Sequence, residues 1–259
     1  MIDKEFQRAV RYGDGFFETM RYHNNKIYLW EWHWERIIKS ASYLQLELGT
    51  TKDSLLKSID EHIKNCAYTD ARIRISFIRN ADGYYVPESN HTYIHIESSP
   101  LPDANFSIIN NGVSVGLSSQ IKSRHHLSNI KSLNALPYVL AGIEAKQHQT
   151  DECILLNDAG RVCEGYKHSI FIRINNRCIT PALTEGCIYG VMRRKVLNEL
   201  QHLSIDIEEG EISLNDLSQA DEIIFTNIIS GVQFANEWNG KKLNNQLCLK
   251  LNEIFKNEL

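Results

Sequence analysis

The sequence predicts an α+β protein of two domains. Three observations carry this reading: strictly alternating runs such as Arg72-Ile-Arg-Ile-Ser-Phe-Ile78, amphipathic runs at helical spacing such as Trp30 to Leu46, and a polar stretch at 118–128 with no apolar periodicity. The polar stretch reads as an interdomain linker. It divides the chain into a small N-terminal α/β domain over 1–117, the linker over 118–128 and a larger C-terminal domain over 129–259. At 259 residues the chain is long enough for each part to bury a core.

Taken in order, Gly13 and Gly15 around Asp14 favour a tight turn, because glycine tolerates φ > 0 and close backbone approach. Alternation through Phe17 to Tyr22 then reads as a strand, and Asn24-Asn25 as a hairpin turn into Lys26-Ile-Tyr-Leu29. Read alone, this is a plain hairpin without chemistry. From Trp30 to Leu46 the residues Trp30, Trp34, Ile37, Ile38, Ala41 and Leu44 form one helical stripe, with Arg36 beside it. A second helix runs from Asp53, as N-cap, to Cys66. Arg72–Ile78 and Tyr93–Glu97 are half-buried antiparallel strands, and Val113–Leu117 suggests another.

Beyond the linker, Leu136 to Gln147 is helical, Glu152–Asn157 an apolar strand, Asp158-Ala-Gly160 a turn, and Arg161–Glu164 the return strand. Ser169–Ile174 and Arg177–Thr180 form a hairpin about Asn175-Asn176, stopped by Pro181. Gly190 leads directly into a helix through Leu200, Glu222–Phe225 is a strand ending in Thr226-Asn227-Ile-Ile-Ser230-Gly231, and a packing helix closes the chain from Asn244.

Composition excludes several classes. A net charge of −4 and pI near 6.2 give no basic footprint for nucleic acid. No segment has the apolar length of a membrane span and the N-terminus has no signal-peptide core, so a cytoplasmic protein is expected. The six cysteines never form a Cys-x-x-Cys pair and read as small core hydrophobes, with no metal site implied.

Two residues concentrate the chemistry, Lys131 in Asn-Ile-Lys-Ser-Leu-Asn and Glu164 in Gly-Arg-Val-Cys-Glu-Gly. Singly they are a solvated lysine at a helix start and a turn carboxylate; together they suit a pyridoxal phosphate site. Arg36, with its stem on the core and its guanidinium at an edge, has the character wanted for a phosphate, or for a surface ion pair. The helix start after Gly190 offers backbone N–H groups to an anion, and the Thr226-Asn227 turn offers further donors.

Laid end to end, Tyr12-Gly-Asp-Gly-Phe-Phe-Glu-Thr19, Glu31-Trp-His-Trp-Glu-Arg36, Ile130-Lys-Ser-Leu-Asn134, Asp151 to Gly165, Ile170 to Pro181, Gly190-Val-Met-Arg193 and Asp221 to Asn227 resemble the class IV, fold-type IV, pyridoxal-phosphate aminotransferases. Branched-chain aminotransferases, D-amino-acid aminotransferases and aminodeoxychorismate lyases belong to that family. The resemblance implies a small N-terminal α/β domain, a larger C-terminal domain with a β-barrel-like sheet, pyridoxal 5'-phosphate between them and a homodimer. It makes Lys131 the lysine that carries the cofactor as a Schiff base and moves the substrate proton. It sets Glu164 against the pyridine nitrogen, and gives the phosphate to Arg36, the backbone of Val191 and Met192, and Thr226-Asn227.

Departures bear on the substrate. The family's asparagine five residues after the glutamate is Ser169 here, and the small residue before it is His168. The Arg-x-His pair of D-amino-acid enzymes is missing from Ala81–Pro87, and the tyrosine of branched-chain enzymes is Leu136. Lys-Ser-Leu-Asn and Thr-Asn-Ile-Ile-Ser-Gly-Val are most similar to the lyase branch, although Ala135 replaces its arginine and Asp82-Gly83-Tyr84 its Arg-Gly-Tyr turn. The expectation is 4-amino-4-deoxychorismate lyase, yielding 4-aminobenzoate and pyruvate for folate synthesis. The alternatives are an amino-acid aminotransferase, branched-chain or other, and a non-catalytic binding protein that kept the fold.

Overall fold

The computed structural model describes residues 3–101 and 105–259, which fall into two compact units. The first comprises Met1–Ala104 together with Ile130–Asn134 and Leu259; the second comprises Asn105–Asn129 and Ala135–Glu258.

In the first unit the elements are α1 (Gln7–Tyr12), β1 (Gly15–His23), β2 (Lys26–Ile27), α2 (Trp30–Tyr43), α3 (Lys52–Cys66), β3 (Ala71–Arg79) and β4 (Thr92–Pro100). The strands form one antiparallel sheet in the order β2-β1-β3-β4. Ile37 and Ala41 of α2 and Leu55, Ile59 and Ile63 of α3 join a core with Phe16, Met20, Ile73, Ile75 and Phe77 of the sheet. The helical stripe expected over Trp30 to Leu46 is therefore the buried face of α2. The cap of α3 is Thr51 rather than the expected Asp53, because the Thr51 hydroxyl accepts the Ser54 N–H at 3.2 Å.

The second unit contains β5 (Val115–Lys122), α4 (Leu136–Gln147), β6 (Glu152–Asn157), β7 (Val162–Gly165), β8 (Ser169–Ile174), β9 (Arg177–Pro181), α5 (Val191–His202), β10 (Asp206–Gly210), α6 (Leu214–Gln219), β11 (Glu222–Asn227), β12 (Gly231–Phe234), β13 (Glu237–Trp238), β14 (Lys241–Lys242) and α7 (Gln246–Asn257). A three-stranded sheet β5-β6-β7 and a five-stranded sheet β10-β9-β8-β11-β12 both contribute to one core. That core joins Ile154 and Val162 of the first sheet to Ile170, Ile172, Ile223 and Phe225 of the second. Buried Glu222 accepts the Leu247 and Cys248 N–H groups at the start of α7, satisfying donors that a helix leaves open.

Residues 118–122, expected to open a linker, instead belong to β5, whose Ile121 and Lys122 pair with β6. Their polarity has a local cause. The β5 register shifts between Leu117 and Ile121, and the residues in between turn their polar groups on Glu144 of α4. Ser118 Oγ donates at 2.5 Å, the Ser119 N–H at 3.0 Å and Gln120 Nε2 at 2.8 Å, and Ser119 Oγ also donates. These bonds hold the Glu144 carboxyl down at about 2.

Candidate active site

Lys131 sits on the five residues that the later chain lends to the first unit. The Phe17 N–H donates to the Lys131 carbonyl at 2.9 Å and the Leu133 N–H to the Gly15 carbonyl at 3.0 Å. The segment thus extends the edge of β1 that β2 leaves open. Both glycines of the Gly-Asp-Gly turn are demanded by this approach. A Cβ on Gly13 (φ +63°) would lie 2.3 Å from Asn134 Oδ1, and one on Gly15 would lie 2.3 Å from the Phe77 carbonyl and 2.9 Å from Leu133 Cδ1. What read as a plain hairpin is the seat of Lys131. Its ammonium lies 4.5 Å from the centre of the Phe17 ring.

Arg36 projects from the buried face of α2. Its Nε and Nη2 donate to the two oxygens of Glu18 on β1 at 2.6 and 2.7 Å, and His33 Nδ1 lies 2.9 Å from Glu18 Oε2. Burial pushes the Glu18 carboxyl up, but the Arg36 charge and the bonds from His33 and Arg36 outweigh it and bring the group to about 2. Burial also pushes the His33 ring below its usual range, partly countered by Glu18. The arginine that the sequence offered to a phosphate is therefore first a fixed partner of Glu18, its fork oriented by two bonds.

In the second unit, Glu164 on β7 is 3% exposed. Its Oε1 receives Lys122 Nζ from β5 and the Tyr138 hydroxyl from α4 at 2.7 Å; its Oε2 receives the Ile188 N–H at 3.1 Å. Burial raises the Tyr138 hydroxyl well above its usual range, with Glu164 adding to the effect, so it stays protonated and donates. A carboxylate offers about four lone-pair positions. Three donors leave it room for one more, which suits a protonated pyridine nitrogen.

Two residues beyond Ile188 stands Gly190, the N-cap of α5, which makes no side-chain cap. The N–H groups of Val191 and Met192 begin that helix and have no helical acceptor. A Cβ on Gly190 would fall 2.8 Å from Ser169 Oγ, so the absence of a side chain lets this hydroxyl pack directly against the helix start. Ser169 pairs in register with Thr226 of β11. The Thr226 hydroxyl donates to the Gly231 carbonyl at 2.8 Å. Asn227 spends its side chain inside its own turn: Oδ1 accepts the Ile229 and Ser230 N–H groups at 2.9 and 2.8 Å, and Nδ2 donates to the Lys167 carbonyl at 3.2 Å. Asn227 builds the turn and is not, through its amide, a ligand group. A helix start without a side-chain cap and an adjoining hydroxyl fit a phosphate dianion.

The family model for amino-transferase class IV matches residues 15–238, most of the chain. The chain belongs to this family. This class IV enzyme is 29% identical to a Methanocaldococcus jannaschii protein provisionally named a branched-chain-amino-acid aminotransferase, over 97% of the chain and 89% of the relative. It is equally 29% identical to the aminodeoxychorismate lyase of Bacillus subtilis, over 86% and 77% respectively. Among solved structures, a branched-chain aminotransferase from Thermoproteus uzoniensis with norvaline superposes with a TM-score of 0.87 at 25% identity, covering 96% of this chain and 86% of that one. The expected fold-type IV architecture and pyridoxal phosphate dependence are those of the family.

The structure places Lys131 and Arg36 in the first unit of this class IV enzyme, and Glu164, Val191, Met192, Thr226 and Asn227 in the second. Lys122, Tyr138 and Glu18 escaped the sequence reading. Lys122 lay inside the supposed linker and Tyr138 inside a helix of apolar composition, so nothing local marked either. Glu18 carried a signal in principle: a charged residue within an alternating strand, which the structure buries completely.

Proposed function

We propose that this class IV enzyme removes the α-proton of an amino-acid-like substrate and acts as a 4-amino-4-deoxychorismate lyase. One observation carries the assignment of the site. The buried Glu164 carboxylate takes its Oε2 bond from Ile188, two residues before the α5 start at Gly190, which has no side-chain cap, so one short segment ties an acid for a pyridinium to N–H donors for a phosphate. When bound, pyridoxal phosphate supplies a sink for the electrons released at the substrate α-carbon. Lys131 would take the proton from that carbon and return it. Glu164 would provide the anionic partner of the ring nitrogen, its carboxylate oriented by Lys122, Tyr138 and Ile188. The N–H groups of Val191 and Met192, the Thr226-Asn227 turn and Arg36 would receive the phosphate.

The lyase reading is supported by the two motifs closest to that branch. Asn134 of the first packs against Gly13, and the 226–231 segment of the second forms a turn that begins at Thr226, the register partner of Ser169. An amino-acid aminotransferase is the second reading, favoured by the near full-length match to the Methanocaldococcus jannaschii relative. The homodimer usual in the family would also cover Leu136, Val139, Leu140 and Ile143 of α4, which are solvent-exposed in the single chain. Sedimentation as a monomer at micromolar concentration would remove that element.

The purified protein should bind pyridoxal phosphate with a visible absorbance band that Lys131→Ala abolishes. Pyruvate should form from aminodeoxychorismate with no keto-acid acceptor added. Absence of pyruvate, with the band instead converted by single amino acids and restored by a 2-keto acid, replaces the lyase with the aminotransferase. A colourless protein that refuses the cofactor rejects both.

A further inference from the structure

A hydrogen-bonded relay outside the groups assigned above runs through three buried or half-buried side chains of the second unit. Glu152, the first residue of β6, is fully buried; its Oε1 accepts the Cys153 and Tyr166 N–H groups at 2.9 Å each, and its Oε2 meets Nδ1 of His168. His168 Nε2 lies 3.0 Å from Ser230 Oγ, which lies 3.0 Å from Asn227 Oδ1.

Asn227 directs Nδ2 at the Lys167 carbonyl while its other terminal atom receives two backbone N–H groups, so that atom is the amide oxygen. The Ser230 hydroxyl lies within hydrogen-bond reach of both that oxygen and His168 Nε2, so it is held between the turn and the ring. Glu152 holds the ring, the ring holds Ser230, and Ser230 closes the Asn227 turn.

That turn is linked to the start of α5. Thr226 precedes it on β11 and pairs with Ser169, the residue after His168, and Ser169 Oγ packs against Gly190. Asn227-Ile-Ile-Ser-Gly231 has no proline to stiffen it, and Gly231 leaves it at φ +67°. Its shape rests on hydrogen bonds, and those from outside the turn include the His168 bond to Ser230, the Asn227 bond to the Lys167 carbonyl and the Gln233 Nε2 bond to the Ser230 carbonyl at 3.2 Å.

We propose that His168 is a positioning residue for recognition of a phosphate monoester: the Glu152–His168–Ser230 relay holds the 227–230 turn, and with it the backbone of Asn227 and Ile228, in the form that receives the phosphate. The inference rests on the reading of this unit as the seat of pyridoxal phosphate. It gives a role to a residue that departs from the family pattern.

The test compares pyridoxal phosphate with pyridoxal, which lacks the phosphate, by equilibrium binding to the cofactor-stripped full chain. Wild type should prefer the phosphorylated form. His168→Leu should lose about tenfold in affinity for pyridoxal phosphate, the scale of one well-placed hydrogen bond, while its pyridoxal affinity stays within about twofold. His168→Gln, whose amide N–H can still reach Ser230, should recover most of the preference. Ser230→Ala should reproduce the His168→Leu result, and decides the matter if His168→Leu does not fold. Equal losses for both ligands, or an unchanged preference in Ser230→Ala, overturn the inference alone. A wild-type chain that binds neither ligand overturns the cofactor reading and the inference with it.

Discussion

Lys122→Met keeps the length of the side chain and removes the ammonium from Glu164. Both side chains are nearly sealed from water, at 10% and 4% exposure. Taking one partner from a buried ion pair costs about 3–5 kcal/mol, because the other charge is left uncompensated. Here the Tyr138 hydroxyl and the Ile188 N–H remain on Glu164, which places the expected loss at the lower end, about 3 kcal/mol. In a chain of this size each kcal/mol moves the thermal midpoint by about 2–4 °C, so the midpoint should fall by about 6–12 °C. The measurement is thermal and urea unfolding of the cofactor-free chain, repeated for Glu164→Gln and for the double variant. The double variant removes both charges and should be more stable than the sum of the two losses predicts, by at least about 1 kcal/mol. Strict additivity, or a Lys122→Met loss below about 1 kcal/mol, would show that the pair does not act as a unit.

Gly15→Ala should lower stability by about 1–3 kcal/mol and also weaken cofactor loading, because its new methyl meets the Phe77 carbonyl at 2.3 Å and displaces the segment that carries Lys131. A variant with the wild-type midpoint and wild-type absorbance band contradicts the account of the Gly-Asp-Gly turn. Glu18 titrates at about 2 in the folded chain against its ordinary value of 4.5, so its stabilisation is complete above about 4.5 and is lost as pH falls through about 2. Between those values wild type should lose on the order of 3 kcal/mol that Glu18→Gln does not, in acid unfolding followed by circular dichroism. Parallel acid curves for the two proteins would discard the assignment.

Element types were legible wherever period and punctuation agreed. Ile73, Ile75 and Phe77 alternate into the core of the first unit, and Asn175-Asn176 marks the β8–β9 hairpin. The strand at 118–122 was not legible, because its side chains serve a bulge and a distant carboxylate instead of a buried face. The parallel strand β10 was missed for a related reason: Asp206-Ile-Glu-Glu-Gly210 shows no alternation of its own and is ordered by its pairing with β9. At the site, Lys131 and Glu164 could be singled out because their chemistry has few substitutes. Lys122 could not, since its role depends on a partner 42 residues away. The use of the Asn227 side chain was equally illegible, since the fold consumes it in shaping its own turn.

The five residues Ile130–Asn134 belong to the first unit although the second unit's chain both precedes and follows them. During synthesis, then, the open edge of β1 waits for about 25 residues after the first unit's main segment before it can be completed, and the lysine arrives with the piece that completes it. A fragment cut after residue 104 has the four strands but neither the edge piece nor its amine. Supplying a synthetic 130–134 peptide to such a fragment turns the chain's own topology into a complementation assay.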